Sequence, residues 1–168
     1  VAFPTETVYG LGGDATSEDA ILKIFKIKKR PKFNPLIIHC DTKAKAMKIG
    51  KFDKLSEKLI NYFWPGPLTI VLPILKNSEI SSLATSGLNT VALRIPENKL
   101  ARNLIRLFGK PIAAPSANPS GKLSATSAKH VQQKLGKKVN IIIDDGFSTM
   151  GIESTVILVR HNKVYLLR

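Results

Sequence analysis

Short apolar runs alternate with amphipathic segments along this chain. Residues 1–3 read as the middle of a strand and lead into a turn-rich loop over 4–13. Thr16 or Ser17 can cap a helix whose first turn carries Glu18 and Asp19, as the positive end of the helix dipole favours. Ile21, Ile24, Phe25 and Lys28 recur at i, i+3, i+4 spacing, so this helix delivers Lys28 close to its C-terminal end. A buried-looking strand is predicted over 36–40, and helices over 44–49 and 55–63, the second stopped by Trp64-Pro65-Gly66-Pro67. Strands follow over 68–72 and 90–95, a helix over 99–108 ending at Gly109, a strand over 112–114, a helix over 127–135 and a strand over 139–143. Residues 154–159 and 164–167 pair as a hairpin across His161-Asn162-Lys163. The helices are too short or too widely spaced for every crossover to be a βαβ unit. The pattern therefore predicts an α/β fold with a twisted mixed sheet and helices packed on it, not a doubly wound parallel sheet.

Composition narrows this to one domain over 1–168, since 168 residues at 43% hydrophobic content can bury a sizeable core. A net charge of +14, from 26 basic against 12 acidic residues, points to anionic partners such as nucleotides, nucleic acid or an anionic membrane. Twenty of those cations are Lys and six are Arg, spread along the chain, which is the composition of a solvated surface more than of bidentate phosphate recognition. The single Cys40 rules out an internal disulfide framework, fits a reducing compartment and ends an apolar run that carries it towards the core. The longest apolar stretch, 68–75, contains Pro73 and falls far short of the ~20 residues of a membrane span. No signal peptide is visible, so a cytoplasmic location is expected. The chain begins without Met and ends on Val164-Tyr165-Leu166-Leu167-Arg168, so both termini read as cut through strands.

The usual catalytic machinery is missing from the residue pattern. Apart from the adjacent Glu18-Asp19 and Asp144-Asp145 the carboxylates are scattered, and His39, His130 and His161 are isolated, so neither a two-metal site nor a zinc site is spelled out. Gly10-Leu11-Gly12-Gly13 matches neither a Walker A nor a dinucleotide fingerprint, and no Gly-x-Ser-x-Gly is present. An enzyme of this composition would work by positioning reactants and stabilising charge. Small polar motifs instead gather at strand ends, where open α/β sites form. Pro4-Thr5-Glu6-Thr7-Val8-Tyr9-Gly10-Leu11-Gly12 is rich in hydroxyls and hinged by glycine. Lys28-Lys29-Arg30-Pro31-Lys32-Phe33-Asn34-Pro35 packs cations between two prolines, just before the strand that carries His39. In Thr90-Val91-Ala92-Leu93-Arg94-Ile95, alternation puts Thr90, Ala92 and Arg94 on one face, and a mid-strand Arg must find an anion or a carboxylate. Ala114-Pro115-Ser116-Ala117-Asn118-Pro119-Ser120-Gly121 offers hydroxyl, amide and backbone N–H groups suited to phosphate or adenine. Gly151-Ile152-Glu153-Ser154-Thr155-Val156 and the terminal Arg168 complete the set.

Singly, each motif could be an ordinary turn or a solvated charge run. Together and in this order, with Lys28/Arg30 and Ser116/Asn118 as paired K-x-R and S-x-N signatures, they resemble the YrdC-like family of threonylcarbamoyl-AMP synthases over essentially the whole chain. Leu158 stands where members often carry Asp, and Cys40 where Ile or Val is more usual. The resemblance implies a single-domain YrdC-like fold with a large concave basic cavity. It also implies formation of threonylcarbamoyl-adenylate and pyrophosphate from L-threonine, bicarbonate or CO₂, and ATP, for modification of adenosine in tRNA. Carried over by position, Thr7, His39, Arg94, Ala114 and Ser154 would hold threonine, with Arg94 taking its carboxylate. Arg30, Asn34, Thr90, Ser116, Asn118, Ser124 and Arg168 would hold ATP, and Lys28 and Arg30 would supply catalytic charge. Mg²⁺ would accompany the triphosphate, without a dedicated protein cage. Proteins of the tRNA-modifying machinery would accept the adenylate, and weak direct contact with tRNA is a further expectation. Two other classes stay open: an RNA-binding module, against which 7% aromatic residues argue, and a carbamoyl-adenylate domain like that of hydrogenase-maturation proteins.

Overall fold

Each helix starts where a short polar side chain captures an orphan backbone N–H. In the computed structural model, which describes residues 1–168, Ser17 accepts from Ala20 N to open α1, Glu18–Lys28. Thr42 opens α2, Lys43–Met47, and Asp53 opens α3, Lys54–Phe63, in a capping box closed by Ser56. Asn98 caps α4, Lys99–Phe108, which ends on Gly109 in the left-handed region at φ 80°. Ser127 caps α5, Ala128–Leu135. None of these helices is long and apolar enough to cross a membrane.

The strands are β1 (Ala2–Phe3), β2 (Gly10–Leu11), β3 (Gly13–Asp14), β4 (Ile37–His39), β5 (Leu68–Pro73), β6 (Thr90–Arg94), β7 (Ile112–Ala113), β8 (Thr155–Arg160) and β9 (Lys163–Leu166). Seven of them form one sheet in the order β3-β7-β4-β6-β5-β8-β9, and β1 pairs with β2 apart from it. Only β4–β6 and β5–β8 are parallel, so the sheet is mixed, as the irregular spacing of elements implies. Helices α1, α3 and α5 pack against β3, β5 and β1 respectively. Their buried faces join Ile38, Ile70, Leu72 and Leu93 in a core cluster of 30 residues that also takes in Cys40. The β8–β9 hairpin closes through His161 and Asn162 at φ 50° and 56°, the paired positive angles that suit a two-residue turn between right-twisted strands.

Two sequence expectations are corrected. Residues 139–143 are not a strand: Ala2 N donates to Ile141 O at 2.8 Å, Ile143 N to Ala2 O at 2.9 Å, and pairing stops at one bridge. Their partner β1 is two residues long and is also paired with β2, so it has no further length for a ladder. Conversely, the loop over 4–13 contains β2 and β3. Gly12 is fixed there by close approach, since a Cβ would lie 2.7 Å from the Phe3 ring and 2.9 Å from the Ile112 side chain.

The topology makes a functional edge. Parallel β4 and β6 end side by side, with His39 opposite Arg94, and β5 runs antiparallel to β6, so its start and that of β8 lie at the same edge. Pro4–Tyr9 and 114–118 meet above it: Leu11 N donates to Pro115 O at 2.8 Å and Ala117 N to Tyr9 O at 2.7 Å.

Candidate functional site

A cleft with a cavity volume of about 90 Å³ opens at this edge, and its lining is polar. Alternation along β4 turns Ile37 and His39 towards the cleft while Ile38 packs in the core. Thr5 and Thr7 share a 2.9 Å hydroxyl contact, and Thr5 Oγ1 donates to Val8 O at 2.6 Å, which locks the turn that carries both into the lining. Ser154 precedes β8; its hydroxyl meets Thr69 Oγ1 at 2.7 Å and accepts from Arg168 Nη2 at 3.1 Å.

Three guanidinium groups reach the cleft, each restrained differently. Helix α1 ends with Lys29 in the left-handed region at φ 53°, and Arg30 N returns to Phe25 O at 3.0 Å. This C-terminal turn points Lys28 inwards and Arg30 to the cleft. Arg30 then donates to Asn34 O at 3.2 Å and Pro35 O at 3.0 Å, so only backbone carbonyls hold it. Arg94 ends β6, is 4% exposed, and finds a carboxylate: its Nη2 donates to Glu6 Oε1 at 2.6 Å and its Nε to Gly66 O at 3.2 Å. Arg168 donates to Ser154 O and pairs with Glu153, whose other oxygen accepts from Ser124 Oγ at 2.6 Å. Glu153 is the one carboxylate in the lining. Burial raises its pKa, but Ser124, Arg168, Ser116 and Lys28 together hold it below the ordinary carboxylate value, so it is an anion.

The titratable groups nearby are poor general bases at neutral pH. Burial, with Arg94 adding to it, pushes the His39 imidazole down to about 3. It is therefore neutral, edge-on to Phe3, with Nδ1 lacking a hydrogen-bond partner in the protein. Burial pushes the Cys40 thiol up to about 12, which keeps it protonated and unreactive. No group of three or more His, Cys, Asp or Glu is placed to hold a metal ion.

The sequence candidates divide between the cleft and its supports. Thr7, His39, Arg94, Ala114 and Ser154 all line it, with Arg30, Ser116 and Arg168. Lys28 does not: it is 1% exposed, and its ammonium donates to Ser116 O and Asn118 O at 2.5 Å each, pinning that loop from behind. Burial lowers its pKa to about 8, Arg30 adding to the shift and Glu153 opposing it. Asn118 is likewise buried and donates to Pro119 O and Lys122 O, shaping the turn. Asn34 is exposed and contributes its carbonyl to Arg30, while Ser124 reaches the site only through Glu153. Thr90 sits at the far end of β6 opposite Pro73, roughly 13 Å from Arg94 at the usual strand rise. Glu6, Glu153 and Thr69 were not singled out by the sequence reading. The demand of a mid-strand Arg for a counter-charge is the signal that leads to Glu6, in a chain with 12 acidic residues.

The chain is similar to known proteins over most of its length. A threonylcarbamoyl-AMP synthase from Pyrococcus abyssi is 51% identical over 158 residues, covering 94% of this chain and 46% of the relative. One from Bacillus subtilis is 47% identical over 169 residues, covering 100% of this chain and 49% of the relative. This chain thus spans about half the length of these curated relatives. The crystal structure of P. abyssi Sua5 complexed with L-threonine superposes with a TM-score of 0.95 at 48% identity, covering 99% of this chain and 49% of that one. Full-length HypF, at 15% identity and a TM-score of 0.87 over 99% of this chain and 26% of that one, shares the fold alone. The family model of Sua5, YciO and YrdC, described as telomere recombination, matches residues 1–168 from end to end, and the chain belongs to that family.

Proposed function

We propose that this chain carries the threonylcarbamoyl-AMP synthase reaction, a nucleotidyl transfer in which L-threonine, bicarbonate or CO₂, and ATP give threonylcarbamoyl-AMP and pyrophosphate. The observation that carries this reading is the cleft itself: three guanidinium groups and a row of hydroxyls around one carboxylate, with no side chain in its lining poised as a general base near neutrality. Such a site suits reactants that bring their own nucleophile and leaving group and need to be held as anions. The relatives that are 47–51% identical to this chain over the aligned region bear that enzyme's name.

In this reading the threonine carboxylate lies against Arg94, and Thr7, Ser154 and the His39 ring bond its polar groups. Hydroxyls placed for a substrate hydroxyl reject analogues that lack it, because they would be left unpaired. Neighbouring cations favour the neutral form of the threonine amine. The amine adds to CO₂ and releases a proton to form the carbamate. A carbamate oxygen then attacks the α-phosphorus of ATP as the bond to the β-phosphate oxygen breaks, and pyrophosphate leaves. Arg30, Ser116 and Arg168 hold the triphosphate, while Lys28 and Asn118 keep the Ser116 loop in place. A magnesium ion arriving on the triphosphate would supply further charge neutralisation; Glu153, the one carboxylate within the lining, would have to release Arg168 or Ser124 to serve it as an oxygen ligand. The product is a reactive mixed anhydride, so a second, tRNA-modifying protein in the same cytosolic compartment would consume it.

Pyrophosphate release tests this directly. Release should require threonine, bicarbonate and ATP together and stop when any one is left out. Release that ignores threonine but responds to carbamoyl phosphate would instead support the hydrogenase-maturation type of domain, and RNA binding without turnover would support a binding module.

A further inference from the structure

We propose that Glu6 is a positioning residue that sorts the triphosphate from the amino-acid carboxylate, by neutralising and aiming Arg94 from behind the cleft wall. The proposal rests on the reaction assigned above and concerns a residue outside the lining. Glu6 is 6% exposed, and both carboxylate oxygens are in use: Oε1 accepts from Arg94 Nη2 at 2.6 Å, and Oε2 from Glu97 N at 2.9 Å and Asn98 N at 3.4 Å. Those two N–H groups immediately precede α4, where Asn98 is the N-cap, so the carboxylate is anchored at the entry to that helix. Its backbone carbonyl accepts from Met150 N at 2.8 Å, which ties the Thr5–Thr7 turn to the segment leading into Glu153 and Ser154.

The consequence is a graded set of arginines. With Nη2 on Glu6 and Nε on Gly66 O, the Arg94 guanidinium cannot swing, and its Nη1 is left without a protein hydrogen bond. A ligand carboxylate meets a directional donor on a pair that is already charge-balanced. Arg168 pairs with the more exposed Glu153, which also acts on Arg30 and on Lys28 behind the loop, so at that end one carboxylate faces three cations. The uncompensated charge thus sits on the Arg30 side, where a triphosphate is drawn, and the compensated donor on the Arg94 side, where an amino-acid carboxylate is recognised by geometry. Removing the Glu6 charge would turn Arg94 into a second attractor for phosphate.

The test is initial-rate kinetics of pyrophosphate release with wild type, Glu6→Gln, Glu6→Asp, Arg94→Gln and the Glu6→Gln/Arg94→Gln double variant. Glu6→Gln should raise the KM for threonine roughly ten- to hundredfold, leave that for ATP within about twofold, and make added pyrophosphate competitive with threonine. Glu6→Asp, which keeps the charge, should restore the wild-type inhibition pattern. In the Arg94→Gln background, Glu6→Gln should add no further loss of threonine affinity, as expected of a residue acting through Arg94. An unchanged or lowered threonine KM in Glu6→Gln, an equal rise for ATP, or full additivity in the double variant would overturn the proposal. If Glu6→Gln does not fold, the inhibition pattern of Glu6→Asp decides: competition by pyrophosphate despite the retained charge refutes the sorting role. A wild-type enzyme that needs no threonine would refute the assigned reaction instead.

Discussion

At His39, burial and the Arg94 guanidinium hold the imidazole neutral down to about pH 3, whereas the unfolded chain takes up a proton near pH 6.5. Between those values the unfolded state binds one proton more than the folded state, so stability rises with pH across the window and is lost as the pH falls. The limiting slope for one group is about 1.4 kcal/mol per pH unit. His39→Asn should flatten the acid limb by about that slope between pH 6 and 4, read from urea denaturation at fixed ionic strength; an unaltered limb would show that His39 is not the group that titrates. The same residue scale shows how much of the site could be read beforehand. The eight cleft-lining candidates were legible because short motifs at strand ends place them, but which side chain of a motif faces the cleft was not. Lys28 and Arg30 differ in fate because Lys29 turns left-handed between them, a backbone choice with no glycine to announce it. Glu6 was hidden for another reason: its role exists only with Arg94, 88 residues away.

The elements around the cleft carry similar constraints, most tightly in the turn from α3 into β5. Gly66 donates to Ile95 O at 2.8 Å and accepts from Arg94 Nε, so its backbone braces the substrate-facing arginine. A Cβ there would lie 2.3 Å from Phe63 O, a backbone atom that cannot step aside cheaply. Gly66→Ala should therefore lower stability by about 1–3 kcal/mol, seen as a reduced denaturant midpoint at constant m-value. A midpoint equal to that of wild type would mean that the turn relaxes freely. Element by element, the helices were the readable part of the fold, because each begins on Ser, Thr, Asp or Asn and follows an apolar period. Strands β2 and β3 were not, since each is two residues long and starts on a glycine in a glycine-rich turn, with no apolar run to mark it. Residues 139–143 mislead in the opposite way: an apolar run becomes a strand only where a partner of matching length exists, and β1 offers one bridge.

Over the whole molecule, the +14 charge and the arginines of the cleft act on the two substrates unequally. Most of the surplus is Lys on exposed faces, which contributes a long-range field and no side chain to the cleft lining. That field attracts a polyanionic nucleotide and has almost no net effect on zwitterionic threonine, which feels only the short-range donors of its own end of the cleft. Salt separates the two contributions, because the Debye length shrinks from about 10 Å at 0.1 M to about 3 Å at 1 M. Raising ionic strength from about 50 to 500 mM at constant free Mg²⁺ should increase the KM for ATP by roughly tenfold, while the KM for threonine moves by less than about twofold. The buried Arg94–Glu6 pair, at 4% and 6% side-chain exposure, lies beyond the reach of that screening. Parallel increases for both substrates would mean that threonine is also gathered by the general field, and the division of the cleft into a charge-attracting end and a geometry-reading end would fail.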